Sequence, residues 1–257
     1  MSMILVLDVG NTNIKIGLFQ GERLINSWRF ATDLKRTSDE YGVAMESFFH
    51  HVDLSTADVN GIIMSSVVPS LNYTIEHMCN LYFPNREVMQ VSSSLNTGIG
   101  IQYQSPQMLG ADRICNVAAA YQSYGGPSIV VDFGTATTFS VVSGEGEFLG
   151  GLICPGIIVS TDALVEKAAM LHKVEYIKPE RVLCANTKDA IQAGIINGFV
   201  GQVDYIIRQI KKELPSNATV IATGGMSSMI ARETDCIDVL NPTLTLEGLN
   251  RIYRMNC

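Results

Sequence analysis

Three aspartates in this chain stand among small polar residues in a way that suits phosphate chemistry. The first is in the run Asp8-Val9-Gly10-Asn11-Thr12-Asn13-Ile14-Lys15. An Asp at a strand end holds Mg²⁺, usually through waters. Gly10 lets backbone approach a phosphate closely, and Asn11, Thr12 and Asn13 are donors for its oxygens. The second is in Asp132-Phe133-Gly134-Thr135-Ala136-Thr137-Thr138. The third is in Gly110-Ala111-Asp112-Arg113. There Asp112 is suited to accept a proton from a substrate hydroxyl, and Arg113 to grip a substrate carboxylate with two hydrogen bonds. Two phosphate cradles and a third carboxylate are what phosphoryl transfer to an alcohol needs.

Each piece alone also has an ordinary reading. Asn and Gly favour tight hairpins, and Thr favours strands. A helix-start Asp followed by a solvated Arg is common. Thr223-Gly224-Gly225, leading into Met226-Ser227-Ser228, suits a nucleotide passing close to backbone at a helix start; alone, it reads better as a plain strand-to-helix turn. The repetition of strand, Asp-x-Gly, small polar residues and strand is harder to assign to turn chemistry.

Those residues need elements to hold them. Ile4–Leu7, Ile14–Phe19 and Leu24–Phe30 read as strands. Thr37 to His50 reads as a helix with Thr37 or Ser38 as its cap. Strand Gly61–Val68, helix Ser70–Phe83 and strand Glu87–Val91 follow, which indicates an α/β domain. Ser92–Gln104 reads as a loop and Met108–Tyr121 as a helix. The opening theme then returns with Ser128–Val131, Asp132 and Phe139–Val142, followed by a third extended segment. Helices near Ile157–Ala169 and Thr187–Leu214 and a strand at Thr219–Ala222 complete the second half. This is an internal duplication with a repeat of about a domain's length. It predicts two α/β halves, residues 1–105 and 106–257, with a cleft between them.

Composition narrows the class. Hydrophobic residues make up 47% of 257, ample for a core. No apolar run approaches the ~18 residues of a membrane helix, and MSMILVLD lacks the features of a signal peptide. The six cysteines are scattered singly, so reduced thiols are expected rather than zinc sites or disulfides. The net charge of −7 argues against nucleic-acid binding. An anionic ligand must therefore be held by local donors, a metal or a few placed cations. Neither a Walker loop nor a dinucleotide fingerprint is present.

DVGNTNIKIG at Asp8–Gly17, GADR at Gly110–Arg113 and DFGTATTFSVV at Asp132–Val142 together resemble the signature set of type III pantothenate kinases. NTKDAIQAGIINGF at Asn186–Phe199 and VIATGG at Val220–Gly225 extend the resemblance over nearly the whole chain. The resemblance implies duplicated ribonuclease-H-like halves of the acetate and sugar kinase, actin and chaperone superfamily, each a mixed sheet flanked by helices. It implies ATP-dependent phosphorylation of pantothenate to 4′-phosphopantothenate, the first step toward coenzyme A. Asp8, Val9, Gly10, Asn11, Thr12, Asn13, Ile14 and Lys15 would then bind ATP phosphates and Mg²⁺, and Thr135 would reach ATP. Asp112 would be the proton acceptor. Tyr103, Gly110, Ala111, Asp112, Arg113 and Thr187 would line the pantothenate site. Asp132 would bind a monovalent cation, K⁺ or NH₄⁺. The protein would be a cytoplasmic homodimer with no nucleic-acid or membrane partner. The four histidines match no family role.

A non-catalytic nucleotide-binding or regulatory protein on the same fold is the competing class. Such a module would have no need of Asp8, Asp112 and Asp132 together. A kinase for acetate or a sugar is a weaker third reading.

Overall fold

The computed structural model describes residues 2–257. Packing divides them into two compact units. One takes the chain up to Ser123 together with Leu244–Cys257; the other is Tyr124–Thr243.

In chain order the first unit contains β1 (Met3–Val9), β2 (Asn13–Gln20), β3 (Arg23–Ala31), α1 (Ser38–His51), β4 (Val59–Ser66), α2 (Pro69–Tyr82), β5 (Val88–Gln90), the short β6 (Gly100–Ile101) and α3 (Ala111–Tyr124). The second contains β7 (Ser128–Phe133), β8 (Ala136–Val142), β9 (Glu147–Pro155), α4 (Ile157–Lys167), α5 (Thr187–Glu213), β10 (Thr219–Thr223), α6 (Ser227–Ala231) and β11 (Val239–Leu240). The chain ends in α7 (Leu244–Met255).

In the first unit the strand order is β3-β2-β1-β4-β5. β1 is antiparallel to β2 and parallel to β4. In the second unit the order β9-β8-β7-β10-β11 repeats that pattern with the same strand senses. The duplication read from two Asp-x-Gly runs is therefore a duplication of topology. Both units are mixed sheets flanked by helices, an α/β fold.

β1 is buried on both faces, and its two faces meet different partners. Leu5, Leu7 and Val9 join the core that includes Tyr41, Met45 and Phe49 of α1 and Leu71, Ile75 and Met78 of α2. Side chains alternate along a strand, so Ile4, Val6 and Asp8 share the opposite face. On β4 the same alternation sends Ile62 and Met64 to the α1/α2 core and leaves Gly61, Ile63 and Ser65 on the other face. The Tyr253 ring of α7 occupies the space a Cβ on Gly61 would need. Gly248 likewise seats α7 against the backbone of Cys115 in α3.

Local signals account for the helix starts. Thr37 accepts the Glu40 N–H while Glu40 reaches back to the Thr37 N–H, which satisfies two otherwise orphaned donors. Pro69 opens α2 at a position where its missing N–H costs nothing.

Packing moves the boundary expected near residue 105. Residues 111–120 of α3 are buried almost all round, and α3 together with α7 belongs to the first unit. The helix expected from Met108 starts at Ala111, after a separate 3₁₀ turn at Pro106–Met108. β11 and α7 had no counterpart in the sequence reading.

Candidate active site

Asp8 is the penultimate residue of β1 and only 6% exposed. Strand register sets Lys15 of β2 on one side of it and Ser65 of β4 on the other. The Lys15 Nζ stands 3.6 Å from Asp8 Oδ2. After Asp8 the chain turns tightly: the Gly10 N–H donates to the Asn13 carbonyl at 3.1 Å. A Cβ at position 10 would sit 3.0 Å from that same carbonyl oxygen. The turn is braced from the end of β3, where the Thr32 hydroxyl donates to the Gly10 carbonyl at 2.6 Å and the Thr32 N–H to the Thr12 carbonyl at 3.0 Å. Asn11 and Thr12 are exposed on this braced turn. Val9 and Ile14 put their side chains into the α1/α2 core, so only their backbone faces a ligand.

Asp112 lies in the first turn of α3, where the helix end favours negative charge. Its Oδ1 accepts the Arg113 N–H at 2.8 Å. Arg113 is buried, 6% exposed, rather than solvated. A buried guanidinium persists only where its donors are met. Ala111 is buried beside it. Asp8 and Asp112 come from distant segments but act on one group. The thiol of Cys115, fully buried, is pushed well above the ordinary thiol range by loss of water first and then by the charges of Asp8 and Asp112. Tyr103 follows β6 and is half-buried.

In the second unit Asp132 is again the penultimate residue of its strand. Register sets it between Thr138 of β8 and Thr223 of β10. The Gly134 N–H closes this turn on the Ala136 carbonyl at 3.1 Å. Thr135 is exposed at its tip. Gly224 has φ +94°, and a Cβ there would lie 2.5 Å from Asp132 Oδ1 and 2.6 Å from the Phe133 nitrogen. Asp132 thus leans over the Gly224-Gly225 loop, which ties two of the expected phosphate loops together.

Thr187 opens α5, exposed, directly after the Asn186 cap. Both line a cavity of about 740 Å³, whose other walls include Leu164, Leu171, Ile191 and Phe199. None of its lining residues comes from the Asp132 turn.

Sequence reading passed over Thr32, Ser65 and Cys115, and took Thr223 only as the start of the Gly224-Gly225 turn. Ser65 and Thr223 are fully buried, and their hydroxyls have no hydrogen-bond partner. A short polar residue ending an apolar strand was the available signal, and strand register is what gives it meaning. Among the described residues no group of three or more His, Cys, Asp or Glu is placed to hold a metal ion.

The family model described as type III pantothenate kinase matches residues 4–209. Among solved structures, a protein assigned to the Baf family of transcriptional activators from Campylobacter jejuni superposes with a TM-score of 0.63 at 19% identity over 98% of both chains. Component A of (R)-2-hydroxyglutaryl-CoA dehydratase from Acidaminococcus fermentans gives 0.57 at 14% identity, covering 98% of this chain and 97% of the other. The inorganic polyphosphate/ATP-glucomannokinase of Arthrobacter sp. strain KM gives 0.52 at 12% over 99% of both. At such identities the likeness is one of fold, that of actin-like ATPases and sugar kinases.

Proposed function

The chain belongs to the type III pantothenate kinase family, and on that premise we propose how its residues divide the work of moving the γ-phosphoryl group of ATP to pantothenate. It is a kinase, an ATP-using phosphotransferase of coenzyme A biosynthesis. The observation that carries the assignment of roles is that the two acids stand at one end of the first sheet: a Cβ on Gly110 would lie 3.7 Å from the Val67 side chain, and the Val67 N–H donates to the carbonyl of Val9, next to Asp8, at 3.0 Å. One acid belongs with a phosphate turn and the other with a helix start.

Asp112 is the general base. It takes the proton of the primary hydroxyl of pantothenate as the new P–O bond forms and the bond to the ADP oxygen breaks. Gly110, Ala111, Arg113, Tyr103 and Thr187 are assigned to pantothenate. Arg113, a buried guanidinium, suits its carboxylate, because a guanidinium meets a carboxylate with two parallel hydrogen bonds.

The turn Asp8–Lys15 is assigned to the ATP phosphates. Its exposed Asn11 and Thr12 and the tight backbone at Gly10 support this. Asp8 is suited to Mg²⁺: one carboxylate leaves room for the waters and phosphate oxygens that this ion keeps. When bound, Mg²⁺ neutralises charge developing on the phosphates. Thr135 is assigned to ATP.

Asp132 is assigned to a monovalent cation. A carboxylate paired in register with the neutral Thr223 hydroxyl is a low-charge oxygen set, as a singly charged ion prefers. A homodimer is part of this reading, and the exposed Leu152, Ile153, Ile158 and Val159 of β9 and α4 support it. We place the protein in the cytoplasm. Among the described residues no helix is long and apolar enough to cross a membrane.

The test is turnover of purified protein with MgATP and pantothenate, in K⁺ and again in Na⁺. Product in K⁺ and little in Na⁺ is expected, with Asp132→Asn losing the distinction. Folded protein that makes no product in either salt would overturn the kinase roles. A K⁺ response that survives Asp132→Asn would overturn the cation role alone.

A further inference from the structure

Lys15, Asp8 and Ser65 form a row across three neighbouring strands, because β1 pairs Asp8 with Lys15 on one edge and with Ser65 on the other. Residues paired in register point to the same face of a sheet. The two flanking residues meet Asp8 differently. The Lys15 ammonium is 3.6 Å away, longer than a well-formed hydrogen bond. The Ser65 hydroxyl is fully buried and has no hydrogen-bond partner. Its neighbour across the layer is the Cys115 thiol, a weak hydrogen-bonding group whose contact with the Ser65 hydroxyl slightly favours the thiolate but is no well-formed hydrogen bond.

A buried hydroxyl without a partner is unfavourable, and alanine would fill the same strand position without that cost. A fold selected for stability alone has no use for Ser65. The second unit repeats the arrangement. Thr223 pairs with Asp132 as Ser65 pairs with Asp8, and it too is fully buried with an orphaned hydroxyl. Of the six orphaned buried side-chain atoms among the described residues, two stand at these equivalent positions beside the repeated acids. Random placement does not explain that coincidence.

We propose that Ser65 is a positioning residue for phosphoryl transfer, whose hydroxyl donates a hydrogen bond to the Asp8 carboxylate when Asp8 takes up Mg²⁺·ATP. The inference rests on the assignment of Asp8 to Mg²⁺·ATP. Ser65 has no exposed surface, so it acts through Asp8 and not on the ligand. Its bond fixes the carboxylate as Asp8 turns from Lys15 toward the metal. The orphaned state of the free chain is then what makes the bond available, a site that gives up some stability for function.

The experiment measures melting temperature and ligand binding by calorimetry on the full chain, for the parent, Ser65→Ala, Ser65→Thr and Asp8→Asn. Ser65→Ala is expected to melt no lower than the parent, since it removes an unsatisfied group. It is expected to bind Mg²⁺·ATP about tenfold more weakly, the loss of one hydrogen bond to a charged group. Metal-free ATP should bind within about twofold of the parent, because only the Mg²⁺-linked carboxylate is affected. Ser65→Thr keeps the hydroxyl, as Thr223 does in the second unit, and is expected to recover binding. A lower melting temperature with unchanged Mg²⁺·ATP affinity would make Ser65 structural and overturn the proposal. Equal weakening for ATP with and without Mg²⁺ would also overturn it. Asp8→Asn separates the two levels. If it binds Mg²⁺·ATP like the parent, the Asp8 assignment fails. If it loses binding while Ser65→Ala does not, only the role of Ser65 fails.

Discussion

The Oδ1 of Asp112 lies 2.5 Å from where a Cβ would stand on Gly110, so the acid in the first turn of α3 occupies the space of a side chain two residues before it. Gly110 is therefore part of how Asp112 is aimed. Gly110→Ala is expected to turn the carboxylate aside and lower kcat by about 10²-fold while the fold persists, the lower part of the range for a displaced general base. Asp112→Asn removes the base and is expected to cost at least as much. Steady-state kinetics with circular dichroism on the same samples check both. A rate within a few-fold of the parent for Asp112→Asn would reject the base assignment.

Gly224 carries two constraints at once. Its φ of +94° disfavours any side chain, and a Cβ would press on Asp132 Oδ1 and on the Phe133 backbone. Gly224→Ala is expected to lose about 2 kcal/mol or more of stability, from strain and contact together. Urea unfolding measures it. Gly225→Ala, with nothing near its Cβ and no positive φ, is the control and is expected to change stability by less than about 0.5 kcal/mol.

α7 depends on Gly248 to reach α3. A Cβ there would meet the Cys115 carbonyl backbone. Backbone gives way less easily than a side-chain tip, so Gly248→Ala is expected to cost about 2 kcal/mol or more. For a chain of this size that is a fall in melting temperature of about 4 °C or more. Gly201→Ala on α5, with open space around it, should melt like the parent or higher.

Stability should fall steeply in alkali. The Cys79 thiol is pushed up from 9.0 to about 12 by loss of water first and the charge of Glu76 second. Between those values the unfolded chain has released the proton and the folded chain still holds it. The folded state binds more protons, so stability decreases as pH rises. The contribution is whole below pH 9.0 and is lost as pH climbs toward about 12. Cys115 acts in the same direction. Each fully shifted thiol adds a slope of about 1.4 kcal/mol per pH unit. Urea unfolding between pH 8 and pH 11 is expected to show that decline, and Cys79→Ala to flatten it by one proton's worth. An unchanged slope in Cys79→Ala would show that this thiol is not the source.

Short-range chemistry made much of the protein legible from its sequence. Apolar alternation marks β1, β2 and β4, the Thr37–Glu40 pair starts α1, and Asp-x-Gly followed by small polar residues marks both turns. These signals act over a few residues, so the order of residues alone determined them, along with the duplication and the family. The tertiary structure decided what stands beside each acid. Ser65 reaches Asp8, and Thr223 reaches Asp132, only through parallel strand pairing, which the packing of a whole sheet fixes. Arg113 is buried rather than solvated because α3 is enclosed along most of its length. α7, the last helix of the chain, returns to the first unit because Gly61 and Gly248 leave room for Tyr253 and for the backbone of α3. No local pattern carries such information, since each of these contacts joins segments that only the folded core brings together.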